Sequence, residues 1–327
     1  MKLAWLFPGQ GAQEVGMGKA VFDASIAARE TFERADRALL KQAAESAGGE
    51  DGAALREPIS KLCFEGPIET LTLTAVTQPA IVATSSALVA ALRESIPDLV
   101  PAFAAGHSLG EYSALVAASA IAVDDAVTLC RLRGQAMQGA VPTGQGAMAA
   151  IMGLDPDAIA AVCAEAAQGE VVSPANFNAP GQIVIAGHAG AVSRASALVA
   201  GRNGKAIPLK VSAPFHCALM KPAAEALAPS LAALIVKPLA FPVIANVDAE
   251  PSTDPERVKD VLLRQIDGPV QWVKTIERMA SEGVTHALEI GPGKVLAGLV
   301  KRIAKQIKVL NVSDPDSIAK VPSFLGS

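Results

Sequence analysis

Gly106-His107-Ser108-Leu109-Gly110 sets a serine between two glycines, after a short apolar run and before an Ala-rich one. That order suits a nucleophile. A serine on a sharp strand-to-helix turn projects its hydroxyl outward, and a glycine two residues to either side lets strand and helix pass closely. The start of the following helix leaves the Leu109 N–H without an intrahelical partner, able to donate to an oxyanion. By itself the pentapeptide is loose, since roughly one chain in ten of this length holds it by chance. Its alternative is an ordinary glycine turn; the strand before and the helix after favour the nucleophile.

A serine nucleophile needs a base. The chain has four histidines: His107, His188, His216 and His286. His107 adjoins the serine on a tight turn, so its side chain points elsewhere and reads as packing. His188 follows a predicted strand and His286 opens one, and both read as structural. His216 stands in Val211-Ser212-Ala213-Pro214-Phe215-His216-Cys217, where the chain re-enters one unit from another. Such loops border clefts, which makes His216 the candidate base.

The elements that must position these groups follow from the apolar pattern. Met1–Phe7 reads as a buried strand turning at Pro8-Gly9-Gln10-Gly11, with helical sequence around Phe22–Gln42. An apolar core helix starts at Gln78-Pro79 and runs to about Arg93, and Leu99–Ala105 is a short strand. Beyond Val141-Pro142-Thr143-Gly144 the order changes. Strands are predicted at Ala147–Met152, Val171–Asn176, Gln182–Ala186 and Ala206–Val211, with helices at Pro156–Ala167 and Ala191–Gly201. Asn178-Ala179-Pro180-Gly181 separates the middle strands as a hairpin turn does. This β-α-β-β-α-β order is that of a ferredoxin-like unit; the alternative is that these strands continue the main sheet. After it come a strand at Pro242–Asn246, helices at Glu256–Gln265 and Val270–Glu282, and a strand at His286–Ile290. Gly291-Pro292-Gly293 lacks the phosphate-loop spacing, reads as a structural turn, and leads into a last helix at Val295–Lys305.

Composition agrees with an α/β class, a mainly parallel sheet with an inserted βαββαβ unit. Of 327 residues, 51% are hydrophobic and only 4% aromatic, so small aliphatic side chains must fill a sizeable core. A net charge of −4 argues against nucleic acid as partner. Cys63, Cys130, Cys163 and Cys217 fit neither a CxxC pair nor a zinc pattern, so reduced, inert thiols, no metal and a cytoplasmic setting are expected. The apolar N-terminus is too short for a signal peptide, and Val76–Leu92 is broken by Gln78, Pro79 and Thr84, so no membrane segment is expected.

Six motifs, in order, carry a resemblance over nearly the whole chain. They are Phe7-Pro8-Gly9-Gln10-Gly11-Ala12-Gln13, Gly106-His107-Ser108-Leu109-Gly110-Glu111-Tyr112, Arg131-Leu132-Arg133-Gly134, Ala213-Pro214-Phe215-His216, Pro269-Val270-Gln271-Trp272 and Glu289-Ile290-Gly291-Pro292-Gly293. Together they resemble the malonyl-CoA:acyl carrier protein transacylases of fatty-acid synthesis and the related acyltransferase domains of polyketide synthases. The resemblance implies a hydrolase-like core, 1–141 and 209–327, with a ferredoxin-like subdomain at 142–208. It implies malonyl-CoA and an acyl carrier protein as substrates and no cofactor. Ser108 would be the nucleophile and His216 the base, oriented by the backbone carbonyl of Gln265, whose side chain would matter little. The N–H groups of Gln10 and Leu109 would form the oxyanion hole. Arg133 would bind the free malonyl carboxylate, as a fork of charged donors suits, while Arg131, two residues away on the helix, reads as an ordinary surface arginine. Phe215, with Leu109, would favour malonyl over methylmalonyl. Arg202, Lys205 and Lys210 would meet the coenzyme A phosphates or an acidic carrier protein, or are simply a solvated basic edge.

Two other readings are weighed. A serine esterase orders its triad Ser, acid, His, and Asp124, Asp125, Asp155, Asp157 and Glu165 lie in the right interval. A neutral-ester hydrolase, however, has no use for the Arg133 clamp. A non-catalytic docking module would be expected to lack Ser108, His216 or Arg133, and all three are present. The polar stretch Ala43–Arg56 has no functional account.

Overall fold

The computed structural model describes residues 1–45, 56–211 and 213–326. The chain opens with β1 (Leu3–Phe7), then α1 (Lys19–Ala24), α2 (Ile26–Glu45), α3 (Ile59–Glu65), α4 (Ile68–Leu71) and α5 (Thr74–Ser95). β2 (Phe103–Gly106), α6 (Gly110–Ala117) and α7 (Val123–Gly139) follow. Next come β3 (Gly146–Met152), α8 (Pro156–Ala167), β4 (Val172–Ala179), β5 (Gln182–His188), α9 (Ala189–Gly201) and β6 (Lys205–Pro208). The rest comprises α10 (Lys221–Ala233), β7 (Val243–Ile244), β8 (Pro251–Ser252), α11 (Pro255–Asp267) and α12 (Trp272–Ser281). It closes with β9 (His286–Ile290), α13 (Val295–Ile303), β10 (Lys308–Val312), α14 (Pro315–Ala319) and α15 (Val321–Leu325).

The first sheet has the order β10-β9-β1-β2-β7-β8, parallel except where β8 pairs antiparallel with β7. β1 is buried at all five positions, as a strand covered on both faces must be. Its alternation divides the core. Leu3, Trp5 and Phe7 enter the cluster with α2, α5 and α7, and Ala4 and Leu6 enter the one with Trp272, Ile276 and Leu299. Phe7 pairs with Gly106, so the loops after β1 and β2 leave the sheet side by side at its carboxyl end. That is where open α/β sheets hold their sites.

The second sheet, β4-β5-β3-β6, is antiparallel at every pair. Ile183 and Ile185 of β5 face α8 and α9, while Val184 and Ala186 face the large core. One backbone stitch joins the two regions beside the site. The Phe177 N–H donates to the Val270 carbonyl, and the Val270 N–H donates to Ala175.

Several local expectations need correction. The single helix expected around Phe22–Gln42 is two, broken at Ser25, whose hydroxyl accepts the Ala28 N–H and donates to Glu94. α5 begins at Thr74 and carries Pro79 inside it. It is long and apolar enough to cross a membrane, but 94% of its most apolar window is buried in the protein, so it is a core helix. α3, α4, α10, β8, β10, α14 and α15 match no element expected from the sequence. Arg131 is not a surface residue: it is 2% exposed and donates to the Leu39 carbonyl of α2. α7 is covered by α5 on one side and α2 on another, so residues two apart on it both face protein. Burial pulls the Arg131 guanidinium down to about 10. Residues 46–55 of the polar stretch lie outside the described residues.

Candidate active site

The turn after β2 is built by its glycines. A Cβ on Gly106 would stand 1.9 Å from the carbonyl carbon of Gly110, and one on Gly110 would stand 2.3 Å from Phe7 O. Neither contact is possible, so only glycine lets α6 start this close to β2 and β1. Between them Ser108 takes φ 52°, the left-handed region that a serine rarely adopts. Its hydroxyl is thereby turned into a cleft of about 190 Å³ lined by Gln10, His107, Leu109, Arg133, Phe215 and His216 among others. Leu109 stands at the first turn of α6 and Gln10 in the loop after β1, and both line this cleft.

His216 reaches the serine from the loop after β6. Its Nε2 lies 2.8 Å from Ser108 Oγ and its Nδ1 lies 2.9 Å from the Gln265 carbonyl oxygen. A carbonyl only accepts, so Nδ1 carries the proton and Nε2 offers its lone pair to the serine hydroxyl. His216 also has a left-handed φ, 59°. Two such residues facing each other is where strain collects at functional sites. Burial first, and then the nearby Arg133 charge, pull the His216 imidazole down to about 3. At neutral pH it is therefore an uncharged acceptor.

Arg133 is 1% exposed on α7. Its Nη1 donates to Gln78 Oε1 at 2.7 Å, and its Nη2 donates to Ser108 Oγ at 3.0 Å and to Gln265 Oε1 at 2.8 Å. Nε has no partner, and no ion pair joins the guanidinium to a carboxylate among the described residues. A buried cation with spare donors beside a serine hydroxyl can take an anion from the cleft.

Gln265 does more than lend a carbonyl. Its fully buried side chain accepts from Arg133 and donates to Ser108 O at 3.0 Å and to Glu111 Oε2 at 2.8 Å. It thus bridges the guanidinium and Glu111, a buried acid that burial pushes up to about 7 against the pull of its Asn246 and Gln265 hydrogen bonds. These three bonds argue against a negligible side chain. Gln265→Leu keeps the carbonyl for His216 but leaves buried polar groups unpaired, at about 1–3 kcal/mol each. Turnover by that variant is expected to fall about tenfold or more; an unchanged rate would show that only the backbone counts.

The other histidines separate as expected, with one addition. His188 Nδ1 accepts the Val171 N–H, and His286 lies against Phe324. His107 packs against Trp272 at 5.5 Å and bonds Asn178 Oδ1 at 2.8 Å, yet it also lines the cleft. Sequence reasoning missed Asn246, Glu111 and the Gln265 side chain. Glu111 lay inside a quoted motif, but nothing in its spacing told its burial.

Of the basic trio, Arg202 pairs with Glu165 at 2.6 Å, whereas Lys205 and Lys210 are exposed on β6 and just beyond it. Leu209, between them, lines the cleft. A larger groove of about 620 Å³ runs between α2 and α7 past Arg34, Lys41 and Asp124, but it holds neither the serine nor a histidine. All four cysteines are free and buried, and burial pushes each thiol up.

A hydrolase-like α/β core with a serine–histidine pair at the carboxyl end of its parallel strands defines the class of this protein. Its nearer kin emerge from comparison with known proteins. The acyl transferase domain family matches residues 4–324. Over 319 residues the chain is 47% identical to the malonyl CoA-acyl carrier protein transacylase of Escherichia coli K12, covering 97% of this chain and 98% of that one. An acyl carrier protein S-malonyltransferase of Vibrio cholerae shares the fold at a TM-score of 0.90 and 46% identity, over 98% of this chain and 100% of that one. A malonyl-transacylase solved in complex with a type II PKS acyl-carrier protein gives a TM-score of 0.90 at 42% identity, over 99% and 100% of the two chains. The chain belongs to the acyl transferase family, and within it to the malonyl CoA-acyl carrier protein transacylases.

Proposed function

We propose that this enzyme moves a malonyl group from malonyl-CoA to the phosphopantetheine thiol of an acyl carrier protein, by way of an ester on Ser108. The observation that carries the reading is Arg133, a buried guanidinium without a carboxylate partner among the described residues, 3.0 Å from the serine hydroxyl. Malonyl differs from neutral acyl groups by its free carboxylate, and this is the group such a fork is built to receive. The family and its named relatives agree with the reaction.

His216 accepts the Ser108 proton as Oγ attacks the thioester carbonyl, and coenzyme A leaves as the thiol. The backbone N–H groups of Gln10 and Leu109 face the oxygen that becomes negative. The same histidine then takes the proton of the carrier thiol, whose sulfur attacks the acyl-serine and releases Ser108. Thioester and ester lie close in free energy, so each half-reaction runs without an added energy source. Phe215, 9% exposed at the cleft wall, narrows the space beside the acyl α-carbon. Lys205 and Lys210, exposed on β6 and just beyond it, would receive the acidic partner or the coenzyme A phosphates, while Arg202 is engaged by Glu165. In this reading residues 142–208 form a subdomain roofing the cleft of a core made of 1–141 and 209–327, and the unpaired thiols suit the cytoplasm.

The test is transfer itself. With malonyl-CoA and a carrier protein bearing its pantetheine thiol, mass spectrometry should show malonylated carrier, formed about 100-fold faster than the acetylated product from acetyl-CoA. Release of free malonate with no carrier product, together with turnover of neutral esters, would instead support the esterase reading.

A further inference from the structure

β7 stops early. Its pairing with β2 covers only Ala104 with Val243 and Ala105 with Ile244. The chain then turns out of the sheet, with the Ala249 N–H donating to the Ala245 carbonyl and Ala249 itself at φ 58°. Where the next rung of the ladder would stand, a side chain takes its place. Asn246 Nδ2 donates to Gly106 O at 2.7 Å, and its Oδ1 accepts the Ser108 N–H at 2.7 Å. A carboxamide offers the donor and acceptor of a peptide group, so it continues the parallel pairing across the sharp turn. The residue is itself fixed. It is 1% exposed, its N–H donates to Glu111 Oε2 at 2.9 Å, and its carbonyl accepts the Gln271 N–H.

We propose that Asn246 is a positioning residue for the nucleophile, its amide spanning the elbow from Gly106 to Ser108 and holding Ser108 left-handed with Oγ on His216. The inference rests on the reading of Ser108 as nucleophile and adds what keeps it in place. A left-handed serine is disfavoured unless its surroundings over-determine it, and two hydrogen bonds on either side of His107 do so. The same contact occupies the Ser108 N–H, leaving Leu109 as the donor of this turn that faces an acyl oxygen. Asn246 does not line the cleft, so it acts through Ser108 and not on the substrate.

The experiment measures the rate of Ser108 malonylation and the KM for malonyl-CoA in the wild type, Asn246→Ala and Asn246→Asp, each with its melting temperature. Asn246→Ala is expected to acylate about 100-fold more slowly, the scale of a small misplacement of a reacting group, at a KM within about threefold of the wild type. Asn246→Asp, which still accepts the Ser108 N–H, should recover part of that loss. A smaller loss in the alanine variant than about tenfold, a change carried by KM, or an aspartate no better than alanine would overturn the proposal. Should Asn246→Ala not fold, the aspartate variant decides alone: acylation slowed about fivefold or more at unchanged KM supports it, and anything less overturns it. Failure of the wild type to form an adduct would sink the nucleophile reading together with this one, whereas an adduct formed equally fast by the variants sinks this one only.

Discussion

Ser108→Ala is expected to abolish the malonyl adduct on the intact protein, and His216→Ala to slow its formation by about 10²- to 10⁴-fold. The serine loss is complete because no other hydroxyl replaces Oγ between His216 Nε2 and Arg133 Nη2. The histidine loss is partial, because the proposed oxyanion donors, the N–H groups of Gln10 and Leu109, and the Arg133 contact survive it. A pH series adds an independent check. His216 is held below its ordinary value by burial and by Arg133, so its neutral, proton-accepting form persists well into acid. The acid limb of the first half-reaction should therefore lie below pH 6.5. Binding of a carboxylate by Arg133 removes the second of those two causes, so the limb measured with bound substrate should move up toward that value without passing it. Brief incubation with malonyl-CoA at several pH values, read by intact mass, gives both results. An adduct on Ser108→Ala, or an acid limb above pH 6.5 in the wild type, would count against the assigned pair.

How far the site could be read from the chain depends on the kind of contact that makes it. Ser108 is legible because its neighbours are local: the glycines that let α6 meet β1 and β2 lie two residues away on either side. The same locality made the β-α-β-β-α-β run readable, since each element there carries its own period and its own turn residues. His216 needed a topological argument, and its Gln265 partner needed the resemblance. Asn246 lies 138 residues from Ser108, in a segment whose sequence shows only a short strand, and no pattern announces that its side chain replaces a rung of the ladder. The burial of Arg131 and the side-chain bonds of Gln265 are hidden in the sequence for a related reason. A helix face is read as solvent or core by period, but α7 has protein on more than one side, and Gln265 points from α11 into a network that exists only after folding. β10 escaped notice because an edge strand of mixed Lys, Val, Leu and Asn is not an apolar run.

Arg133→Ala should remove discrimination more than it removes chemistry. The guanidinium is held by Gln78, Gln265 and the serine hydroxyl, all neutral partners. A malonyl carboxylate would exchange the Ser108 contact for a charge-assisted pair, freeing Oγ to face His216 alone. Hydrogen bonds to charged groups are worth about 1.5–3 kcal/mol each, so losing two lowers kcat/KM for malonyl-CoA by about 10²- to 10⁴-fold. Acetyl-CoA has no carboxylate to lose, and its rate in Arg133→Ala should stay within about tenfold of the wild type. The malonyl-to-acetyl ratio then collapses. Arg133→Lys should rescue little, because a single ammonium cannot keep the contacts to Gln78 and Gln265 while holding both carboxylate oxygens. Competition between the two thioesters in one reaction, followed by the masses of the acyl-serine products, reads the ratio directly. Parallel losses for both substrates would assign Arg133 to holding Ser108 and not to choosing the acyl group.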